Sequence, residues 1–582
     1  MSSNEKFYSA EGTVQIIVSL LKQYGIRRVI ASPGTTNLTF VASLQQDPFF
    51  TVWSAPEERS AAYMAVGMAE ESGEPVVITC TGATASRNYL PAMTEAFYRK
   101  LPVIAITATQ TAHIVGQLVP QVIDRSEIQN DAAHYACHLP LVKDHADAQF
   151  VTIKMNEALH SLRKEGGGPV HVNYETAYNM DFSVKELPTA HKIDFYQVFD
   201  ALPEIPQGKV GIFVGSHPAM DDDLTAAIDA FCATYDSCVF CDHTSNYKGR
   251  YRCQYPIMLS QDNWHTPLGS LDLMIHIGGV SGAYAQPGGK RTWRVNPDGI
   301  IRTPYGLISA VFQMREVDFF RHYGGDARKD AGSFADRCNL EVQAIRKEIP
   351  VDLPFSNIWV AQQMSAKIPQ GSVMHFGILN SLRSWNFFEV PLSVNSYSNV
   401  GGFGIDGPSS TIIGGALAQP DRLHYLVVGD LAFFYDLNSL GNRHLPANLR
   451  ILLVNNGRGT EFTNYNHPAY RFGERANDYM AAGGHYGKQS PDLVRHYAED
   501  LGFKYVSASS KEEVLSHMDE FLSPESSDTP LLLEVFTDSA LENEALHIVR
   551  NLRTDPGSVL ENKIRKAIGP KGVAAVKKIL GK

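Results

Sequence analysis

Short apolar runs that alternate with amphipathic segments are the feature that most constrains what this chain can fold into. Runs such as RRVIAS, PVVIT, LPVIAITA and GPVHVN have the length and composition of buried strands. Helical spacing of apolar residues lies between them, for example from Glu58 to Glu71 and from Leu90 to Arg99. Because strands that alternate with helices form parallel sheets covered on both faces, the sequence predicts an α/β fold with doubly wound parallel sheets.

Two polar segments that contain proline divide the 582-residue chain into pieces of ordinary domain size. They are SVKELPTAHKID, residues 183–194, and RKEIPVDLPFSN, residues 346–357. Each piece repeats the strand–helix pattern, so the predicted doubly wound domains are residues 1–185, 190–348 and 355–550. Residues 551–582 are a predicted basic tail, and positions 563–582 hold seven Lys or Arg and no acid. Such a tail is typical of a solvated helix or of a segment that contacts an anionic surface.

The charge balance and the apolar runs exclude several functional classes. Asp and Glu number 62 against 51 Lys and Arg, a formal net charge of −11, whereas proteins that bind nucleic-acid phosphates carry excess positive charge. No apolar run reaches the roughly 18 residues of a spanning helix, and MSSNEKFYSAEG lacks the basic start and apolar core of a signal peptide. Seven cysteines, few and odd in number, are typical of reduced thiols in the cytoplasm. We therefore expect a cytoplasmic protein that binds neither nucleic acid nor membrane.

The segment that most directly indicates chemistry is LHYLVVGDLAFFYDLNSLGNRHLPANLRILLVNNGRG. A buried strand ends in the pair Gly429 and Asp430, a helix follows, and a second buried strand ends in Asn455 and Asn456. Parallel strands end at the same sheet edge, where open α/β folds bind ligands, so we expect Asp430 and Asn456 to converge. Their oxygens, a backbone carbonyl and phosphate oxygens would complete an octahedral Mg²⁺ site. Gly429 permits a diphosphate to approach the turn closely.

This segment resembles the diphosphate-binding motif of the thiamine diphosphate (ThDP) enzymes, which runs from a GD pair to an NN pair over a similar distance. Further segments resemble the family in the same order along the chain: GIRRVIASPG, PEERSAAYMAVGMAE, TGATASRNYL, GPVHVN and VFTDSALENEAL. The resemblance implies a pyrimidine-binding domain, a central domain and a diphosphate-binding domain, with ThDP and Mg²⁺ as cofactors. The contacts it implies are Pro33, Glu58, Asn88, Asn380, Ser381, Ile405, Gly429, Leu431 and Ala432 for ThDP, and Asp430, Asn456 and the backbone carbonyl of Arg458 for Mg²⁺.

A glutamate of this family promotes the proton shift that activates the aminopyrimidine of the cofactor, which is general acid–base work for a carboxylate in an apolar site. Glu58 occupies the matching position, and the spacing to the following Ala and Gly favours it over its neighbour Glu57. The other interpretation of Glu58 is an acid that interacts with the dipole at a helix start. The resemblance then implies that a 2-oxo acid loses CO₂, after which the acyl unit is released as an aldehyde or transferred to a second carbonyl compound.

Within the family, the motifs most resemble the branch of the menaquinone-pathway SEPHCHC synthases (MenD), which join 2-oxoglutarate to isochorismate. GDLAFFYDLNSL, SNVGGFGIDGPSST and NSLRSWNFF are similar to segments of that branch, and Lys290 with Arg291 is similar to its Lys–Arg pair near the anionic acceptor. Three arginines of the branch are replaced here, by Thr36, Gln110 and Val400. Because each charged hydrogen bond to a carboxylate contributes about 1.5–3 kcal/mol, these replacements favour less anionic substrates.

The loop HIVGQLVPQ, residues 113–121, also favours a small donor such as pyruvate, since it resembles a loop of acetolactate-synthase-like and decarboxylase relatives. The resemblance implies that His113 orients or protonates the intermediate and that Gln121 hydrogen-bonds it. A solvated side chain is the other interpretation of His113. Ile405 is either the bulky residue that bends ThDP or a core residue. Candidates for substrate contact in a later loop are His467, His485 and Tyr486.

Together these features predict a Mg²⁺- and ThDP-dependent enzyme that decarboxylates a pyruvate-like 2-oxo acid and ligates the acyl unit to a carbonyl acceptor. The alternatives are a decarboxylase that releases an aldehyde, a MenD-like synthase that uses 2-oxoglutarate, and a regulatory relative without turnover. Retention of Glu58, Asp430 and Asn456 argues against the last of these. Because the family builds each active site from two subunits, we expect a homodimer or a homotetramer.

Two further motifs carry little weight. Cys238 and Cys241, with His243 and Cys253, form a single CxxC pair, and SCVFCD equally matches a buried strand, so a zinc site is not predicted. GAYAQPGGKR lacks the GxGxxG pattern of dinucleotide sites. The central domain therefore shows no sequence signal that demands a nucleotide.

Overall fold

The computed structural model of the protein describes residues 7–125, 127–302, 304, 308–525 and 527–559. They form two compact units: Met1–Ala201 with Asp298–Gln313, and Leu202–Pro297 with Met314–Lys582. Most of the basic tail, from position 560 onward, lies outside the described residues. The division into three domains at the two polar segments stays a prediction.

Six parallel strands form the main sheet of the first unit, counted over its described residues. In chain order they are Arg28–Ala31, Thr51–Ser54, Val76–Cys80, Val103–Thr109, Tyr135–Leu139 and Val170–Glu175. Their order across the sheet is 2-1-3-4-6-5. The third, fourth and sixth strands are buried along their whole length. Both faces of this sheet are covered, which is why these strands are apolar runs rather than alternating sequences.

Helices pack on both faces of this sheet. They are Gly12–Gln23, Leu38–Gln45, Glu58–Ser72, Thr84–Arg87, Leu90–Arg99 and His145–Ser161. Successive residues of a strand, such as Val29 and Ile30, enter separate hydrophobic cores because strand side chains alternate between the two faces. The predicted helices that begin at Glu58 and Leu90 are confirmed.

A second sheet has seven parallel strands among the described residues. Five belong to the second unit: Val210–Val214, Cys238–Cys241, Arg252–Gln254, Ser270–Ile277 and Gly288–Val295. Their order is 3-2-1-4-5. The other two strands, Asp194–Gln197 and Ala310–Gln313, pair in parallel with each other. The CxxC segment is thus one of these strands, and its cysteines are buried.

The third sheet, in the second unit, repeats the strand order 2-1-3-4-6-5 of the first unit over the described residues. Its strands are Val373–Phe376, Asn395–Ser398, His424–Gly429, Leu449–Asn455, Lys504–Ala508 and Leu531–Phe536. All three sheets are parallel throughout, and helices alternate with the strands. The predicted α/β fold with three doubly wound parallel sheets is therefore confirmed.

Helices of the second unit begin at side-chain caps in several places. The helices are Asp222–Tyr235, Pro256–Leu259, Glu316–Tyr323, Ser333–Lys347, Asn357–Met364, Asn380–Trp385, Pro408–Ala418, Asp430–Tyr435, Ala476–Tyr479, Leu493–Asp500, Lys511–Phe521 and Ser539–Arg550. Ser356 and Asp538 accept hydrogen bonds from backbone N–H groups of the first turn of the helices that follow them. These caps fix the positions at which Asn357 and Glu542 reach the site described below. No helix in the described ranges is long and apolar enough to cross a membrane.

Candidate functional site

A cavity of about 210 Å³ lies at the carboxyl-terminal edge of the third sheet. Turns that follow its first, third and fourth strands form the walls. The second strand lies on one side of the first strand, and the third strand lies on its other side. The strand order therefore reverses here, and open α/β sheets bind ligands at such a switch point. Nine residues singled out from the sequence line the cavity: Asn380, Ser381, Ile405, Gly429, Asp430, Leu431, Ala432, Asn456 and Arg458.

Asp430 lies buried at the start of a helix on this edge. Its carboxylate accepts hydrogen bonds from the backbone N–H groups of Leu431, at 2.9 Å, and Gly457, at 2.7 Å. Burial nevertheless raises the pKa of Asp430 to about 6, because these hydrogen bonds only partly offset the desolvation of the charged form. A divalent cation beside the carboxylate would supply the missing stabilisation.

Asn456 supplies a second oxygen to the same cavity. Its Oδ1 atom is buried and has no hydrogen-bond partner, a situation that costs about 1–3 kcal/mol for a polar group. A carboxylate and an amide oxygen are ligands that Mg²⁺ accepts. The residues present therefore fit a magnesium-bound diphosphate. Arg458 donates from its guanidinium to Asn477 Oδ1 at 2.8 Å, and the role of its backbone carbonyl stays a prediction.

The turn at Gly429 opens directly onto the cavity. A Cβ atom at Gly429 would meet no protein atom within 4 Å, which leaves room for a ligand against the backbone. Leu431, Ala432 and Ile405 are half-buried in the wall. Leu379, on the opposite wall, has a φ of 64°, and such a conformation costs a residue with a side chain about 1–3 kcal/mol. Strain of this kind is typical of backbone that is shaped for a ligand.

Asn380 is held by a charged pair. With its amide oriented to satisfy both partners, its nitrogen donates to Glu461 Oε2 at 2.8 Å and its oxygen accepts from the Glu461 backbone N–H at 3.0 Å. Arg383 Nη1 donates to Glu461 Oε1 at 2.6 Å, and both side chains are largely buried. Glu461 and Arg383 were not predicted from the sequence, and they fix the orientation of a residue that was.

Two further buried carboxylates were also missed. Glu542 lines the cavity and accepts from the Asn357 backbone N–H at 2.9 Å and from the Thr537 hydroxyl at 2.8 Å. Glu534 accepts from Asn455 Nδ2 at 2.7 Å and from the Tyr505 hydroxyl at 2.8 Å. Burial raises the pKa of each to about 7, and the charge of Asp430 adds to both shifts. The edge therefore concentrates acidic groups whose charged forms a cation would stabilise.

In the first unit, Glu58 and Glu57 have different roles. The Glu57 carboxylate caps helix Glu58–Ser72 by accepting from the backbone N–H groups of Arg59 and Ser60 and from the Ser60 hydroxyl. Hydrogen bonds from Ser60 accordingly lower the pKa of Glu57. Glu58 is half-buried, and its charge contributes to the raised pKa values of Tyr89 and Cys80, for which burial is the main cause. Glu57 is thus engaged as a helix cap, and the catalytic role of Glu58 stays a prediction.

The turns after the first and third strands of this unit lie against each other. Thr36 is buried, and its hydroxyl pairs with Thr81 Oγ1 at 2.5 Å and accepts from the Gly82 backbone N–H at 3.1 Å. A Cβ atom on Gly34 would lie 2.5 Å from Thr81 Cβ, so this contact requires glycine. Thr36, predicted to face substrate, thus uses its hydroxyl to join the two turns. The predicted cofactor contacts Pro33 and Asn88 lie exposed in the same region.

The predicted substrate loop of the first unit is largely exposed. His113 lies on the short 3-10 helix Ala112–Ile114, and Gln121 has a φ of 64°. Both side chains are exposed, whereas Gln110 is half-buried. The backbone carbonyl of Gln121 lies 3.5 Å from the position of a Cβ on Gly82, so the loop approaches the turn that carries Asn88. Their catalytic and substrate roles stay predictions.

The remaining candidates of the second unit lie away from the cavity lining. Lys290 and Arg291 are exposed near the start of strand Gly288–Val295, and Lys290 Nζ pairs with Asp272 at 2.8 Å. The half-buried His467 caps a short helix by accepting from the Ala469 backbone N–H. Tyr486 stacks on Phe434 with ring centroids 4.9 Å apart, and His485 is exposed. Val400, at the third arginine position, is buried.

The CxxC segment forms part of a strand core. His243 Nε2 donates to the Trp385 carbonyl at 3.0 Å, and burial lowers the pKa of His243 to about 3. Within the described residues, no group of three or more His, Cys, Asp or Glu side chains has the arrangement of a metal site. The magnesium ligands proposed above are not such a group, because they combine one carboxylate with an amide oxygen and a backbone carbonyl.

Comparisons with known proteins agree with the geometry of the two units. Residues 12–128 match the family described as "Thiamine pyrophosphate enzyme, N-terminal TPP binding domain". The chain is similar over most of its length to proteins named 2-succinyl-5-enolpyruvyl-6-hydroxy-3-cyclohexene-1-carboxylate synthase. The relative from Phocaeicola vulgatus is 29% identical, over 94% of this chain and 99% of its own. The relative from Desulfotalea psychrophila is 28% identical, over 88% and 96%, and that from Bacteroides thetaiotaomicron is 27% identical, over 91% and 97%.

The family match covers the turns that carry Glu58 and Asn88, and the similarity to the synthases extends through the second unit to the cavity at Asp430. The segments that carry Glu58 and Asn88, and the segment that carries Asp430, thus have counterparts in these relatives. These similarities indicate a thiamine diphosphate-dependent enzyme that cleaves and forms carbon–carbon bonds.

Proposed function

We propose that this enzyme binds ThDP with Mg²⁺ in the cavity of the second unit, decarboxylates a 2-oxo acid and transfers the acyl unit to a small-molecule acceptor. The observation that carries the proposal is the unpaired Asn456 Oδ1 beside the buried Asp430 carboxylate. Two oxygens of this kind at a sheet switch point are suited to a divalent cation that neutralises a diphosphate.

The proposal gives each residue of the candidate site a defined task. Asp430, Asn456 and the Arg458 carbonyl hold the cation, while Gly429 leaves space for the diphosphate. ThDP supplies the electron sink for the loss of CO₂ when it is bound. Glu58 holds and moves a proton at the pyrimidine end, a task for a carboxylate that is not committed to a helix cap. The half-buried apolar wall of Ile405 and Leu431 excludes water from the reacting atoms.

The relatives favour a reaction of the SEPHCHC synthase type. Their name describes the synthesis of a 2-succinyl cyclohexene carboxylate, a product whose succinyl group corresponds to 2-oxoglutarate after loss of CO₂. The motifs around Asp430 and Val400 resemble the same branch. We therefore propose 2-oxoglutarate as the first donor to test, with ligation to an unsaturated acid as the overall reaction.

A pyruvate-like donor is the second candidate, and a specific observation favours it. Thr36 and Val400 stand where two arginines would clamp carboxylates, and both are buried and neutral. The Thr36 hydroxyl is engaged with Thr81 and Gly82. A donor with a single carboxylate needs fewer cationic contacts, so these replacements disfavour a dicarboxylic donor by several kcal/mol, at about 1.5–3 for each charged hydrogen bond.

The subunit arrangement is also part of the proposal. The family builds its active site from the glutamate-bearing domain of one subunit and the diphosphate-binding domain of its neighbour. We propose the same arrangement here, with Glu58 of one subunit serving the cavity at Asp430 of another in a homodimer or a homotetramer.

Product analysis by mass spectrometry tests the proposed reaction. Purified protein with ThDP and Mg²⁺ is incubated with 2-oxoglutarate or pyruvate, each with and without an unsaturated carboxylic acid or a carbonyl acceptor. A product whose mass equals donor plus acceptor minus CO₂ supports ligation and identifies the donor. An aldehyde as the sole product from every mixture would replace ligation with simple decarboxylation.

A further inference from the structure

A small cavity in the first unit, separate from the one at Asp430, is lined by cationic side chains. Arg87, Tyr89, Arg125, Glu127 and His171 contribute to its walls. Its volume is about 20 Å³, which is room for about one water-sized atom. It can therefore receive one end of a ligand but not a whole substrate.

Arg125 is a buried cation of this cavity whose hydrogen bonds are incomplete. The residue is 9% exposed. Its Nη2 donates to the Ala108 carbonyl at 2.8 Å, whereas its Nη1 is buried without a hydrogen-bond partner. A guanidinium presents donors in a planar fork that matches a carboxylate. An unused, buried arm of this fork is a binding position for an anionic oxygen.

The charge of Arg125 also lacks a counter-ion. Arg87 is half-buried and donates to the Asp124 carbonyl at 2.9 Å, a neutral partner. Burial lowers the pKa of Arg125 to about 10; interaction with Cys80 opposes this shift, and repulsion from Arg87 adds to it. Burial lowers the pKa of His171 to about 3 and keeps it neutral. Glu127 is the carboxylate that lines the cavity, and among the described residues it forms no ion pair with either guanidinium.

The cavity adjoins the turn that carries residues expected to reach cofactor and substrate. A Cβ atom on Gly82 would lie 3.4 Å from Arg125 Nη2 and 3.5 Å from the Gln121 carbonyl. Tyr89 lines the cavity directly after Asn88, and the charge of Glu58 contributes to its raised pKa. Arg125 therefore lies close to the turn at Gly82, and the cavity shares Tyr89 with the surroundings of Glu58.

We infer that Arg125, assisted by Arg87, is a subsite that binds one carboxylate of a small acid substrate. The inference deepens the proposed function and rests on it for the identity of the acid. One carboxylate oxygen occupies the space at Nη1, and the remainder of the acid extends out of the cavity. Arg125 thereby supplies a cationic clamp in a chain that has Thr36, Gln110 and Val400 at three other arginine positions.

Equilibrium dialysis of radiolabelled pyruvate and 2-oxoglutarate against the full-length protein tests this subsite. The measurement is made with and without ThDP and Mg²⁺, so that it needs no turnover. The variants are Arg125→Ala, Arg125→Lys and Arg87→Ala. Arg99→Ala is the matched control, because Arg99 is an exposed arginine of the same unit that already pairs with Glu70. Thermal unfolding followed by circular dichroism verifies that each variant is folded.

We expect Arg125→Ala to weaken binding of the better acid at least about tenfold. Arg87→Ala and Arg125→Lys are expected to weaken it less, and Arg99→Ala to leave it unchanged. Equal affinity in Arg125→Ala and the unaltered protein would overturn the subsite, as would the lack of acid binding by the unaltered protein. If Arg125→Ala does not fold, the same comparison is made with Arg125→Lys and Arg87→Ala, and unchanged affinity in both would overturn the subsite.

Two controls separate this inference from the proposed function. Displacement of the acid by equimolar chloride would identify a general anion site and overturn the carboxylate assignment. Arg125-dependent binding in a protein that releases no CO₂ from any donor would contradict the proposed reaction while supporting the subsite. Normal CO₂ release with unchanged acid affinity in Arg125→Ala would support the proposed reaction and overturn the subsite.

Discussion

Both units of the protein contain buried side chains that lack a hydrogen-bond partner or a neutralising charge. Asn456 Oδ1 and Arg125 Nη1 are buried without partners, and Asp430 is a buried carboxylate with a raised pKa. Such groups cost free energy in the protein alone, since burial removes water without supplying a replacement. A cation at Asp430 and Asn456, and an anion at Arg125, would each restore the missing interaction.

Replacement of Asp430 by Asn tests the cation site. The variant keeps the size of the side chain but removes the negative charge, so we expect Mg²⁺-dependent ThDP affinity to fall at least about tenfold. Isothermal titration of ThDP in the presence of Mg²⁺ measures the effect. Asp421→Asn, an exposed position of the same unit, is the control. Equal affinity in both variants would show that Asp430 does not hold the cation.

Glu58 and Glu57 offer a matched pair for the proton-transfer role. We expect Glu58→Gln to lower the rate of CO₂ release by about 10²–10⁴-fold, the usual contribution of general acid–base catalysis, with ThDP still bound. Glu57→Gln weakens the helix cap at Arg59 and Ser60, so we expect a lower melting temperature with the rate largely retained. Steady-state rates and thermal unfolding of both variants distinguish the roles. The opposite pattern would reassign the catalytic glutamate to Glu57.

At the scale of elements, two sheets with the same strand order bring turns together at equivalent edges. The turns at Gly34 and Thr81 follow the first and third strands of the first unit, and those at Leu379 and Gly429 follow the corresponding strands of the third sheet. Adjacent parallel strands end side by side, so residues distant in sequence meet there. The close approach of these turns is a requirement of the fold that substitutions can test.

Gly34→Ala tests the contact between the two turns of the first unit. A Cβ atom would lie 2.5 Å from Thr81 Cβ, so the backbone must shift, and we expect a loss of about 1–3 kcal/mol in the free energy of unfolding. Gly67→Ala lies in a helix with no atom within 4 Å of the new Cβ and is expected to be neutral or slightly stabilising. Urea unfolding of both variants measures the difference. Equal stability would mean that the turns can separate without cost.

A buried carboxylate near the strand ends of the third sheet also predicts that the free energy of unfolding depends on pH. The pKa of Glu542 is raised from its ordinary value near 4.5 to about 7, so the folded state holds a proton that the unfolded chain has released. Stability is therefore full at low pH and is lost as the pH rises through about 7, by about 3 kcal/mol for this group. Glu542→Gln keeps an acceptor for Asn357 and Thr537 but does not ionise.

Urea unfolding of cofactor-free protein at pH 5 and pH 8 measures this effect. We expect the free energy of unfolding of Glu542→Gln, relative to the unaltered protein, to increase between pH 5 and pH 8. Parallel pH dependences in the two proteins would contradict a buried, protonated Glu542.

The meeting of Asp430 and Asn456 in one cavity could be predicted from the sequence, because the apolar runs before them mark two parallel strands that end side by side. Glu534 could also have been recognised, since a carboxylate inside the apolar run LLLEVF must be buried and paired. Arg125 could not, because it lies in a loop without periodicity and its burial depends on contacts with Ala108 and the turn at Gly82. The engagement of Thr36 with Thr81 is likewise a contact between distant turns.

At the scale of the whole molecule, complementation tests the proposed site between subunits. Glu58→Gln and Asp430→Asn proteins, each expected to be nearly inactive, are mixed under conditions that allow subunits to exchange. In a mixed dimer one site has both changes and the other has neither, so we expect recovery of about a quarter of the normal rate. Failure to recover activity, despite exchange seen by native mass spectrometry, would mean that each site comes from one chain.

The most direct test of the central claim is the initial rate of CO₂ release from 2-oxoglutarate and pyruvate, with ThDP, Mg²⁺ and an acceptor, in unaltered protein and in Asp430→Asn. We expect release from at least one donor that requires both cofactors and is lost in the variant. ThDP binding without CO₂ release from any donor and acceptor, or release that is unchanged by Asp430→Asn, would contradict a decarboxylating carboligase that works at this cavity.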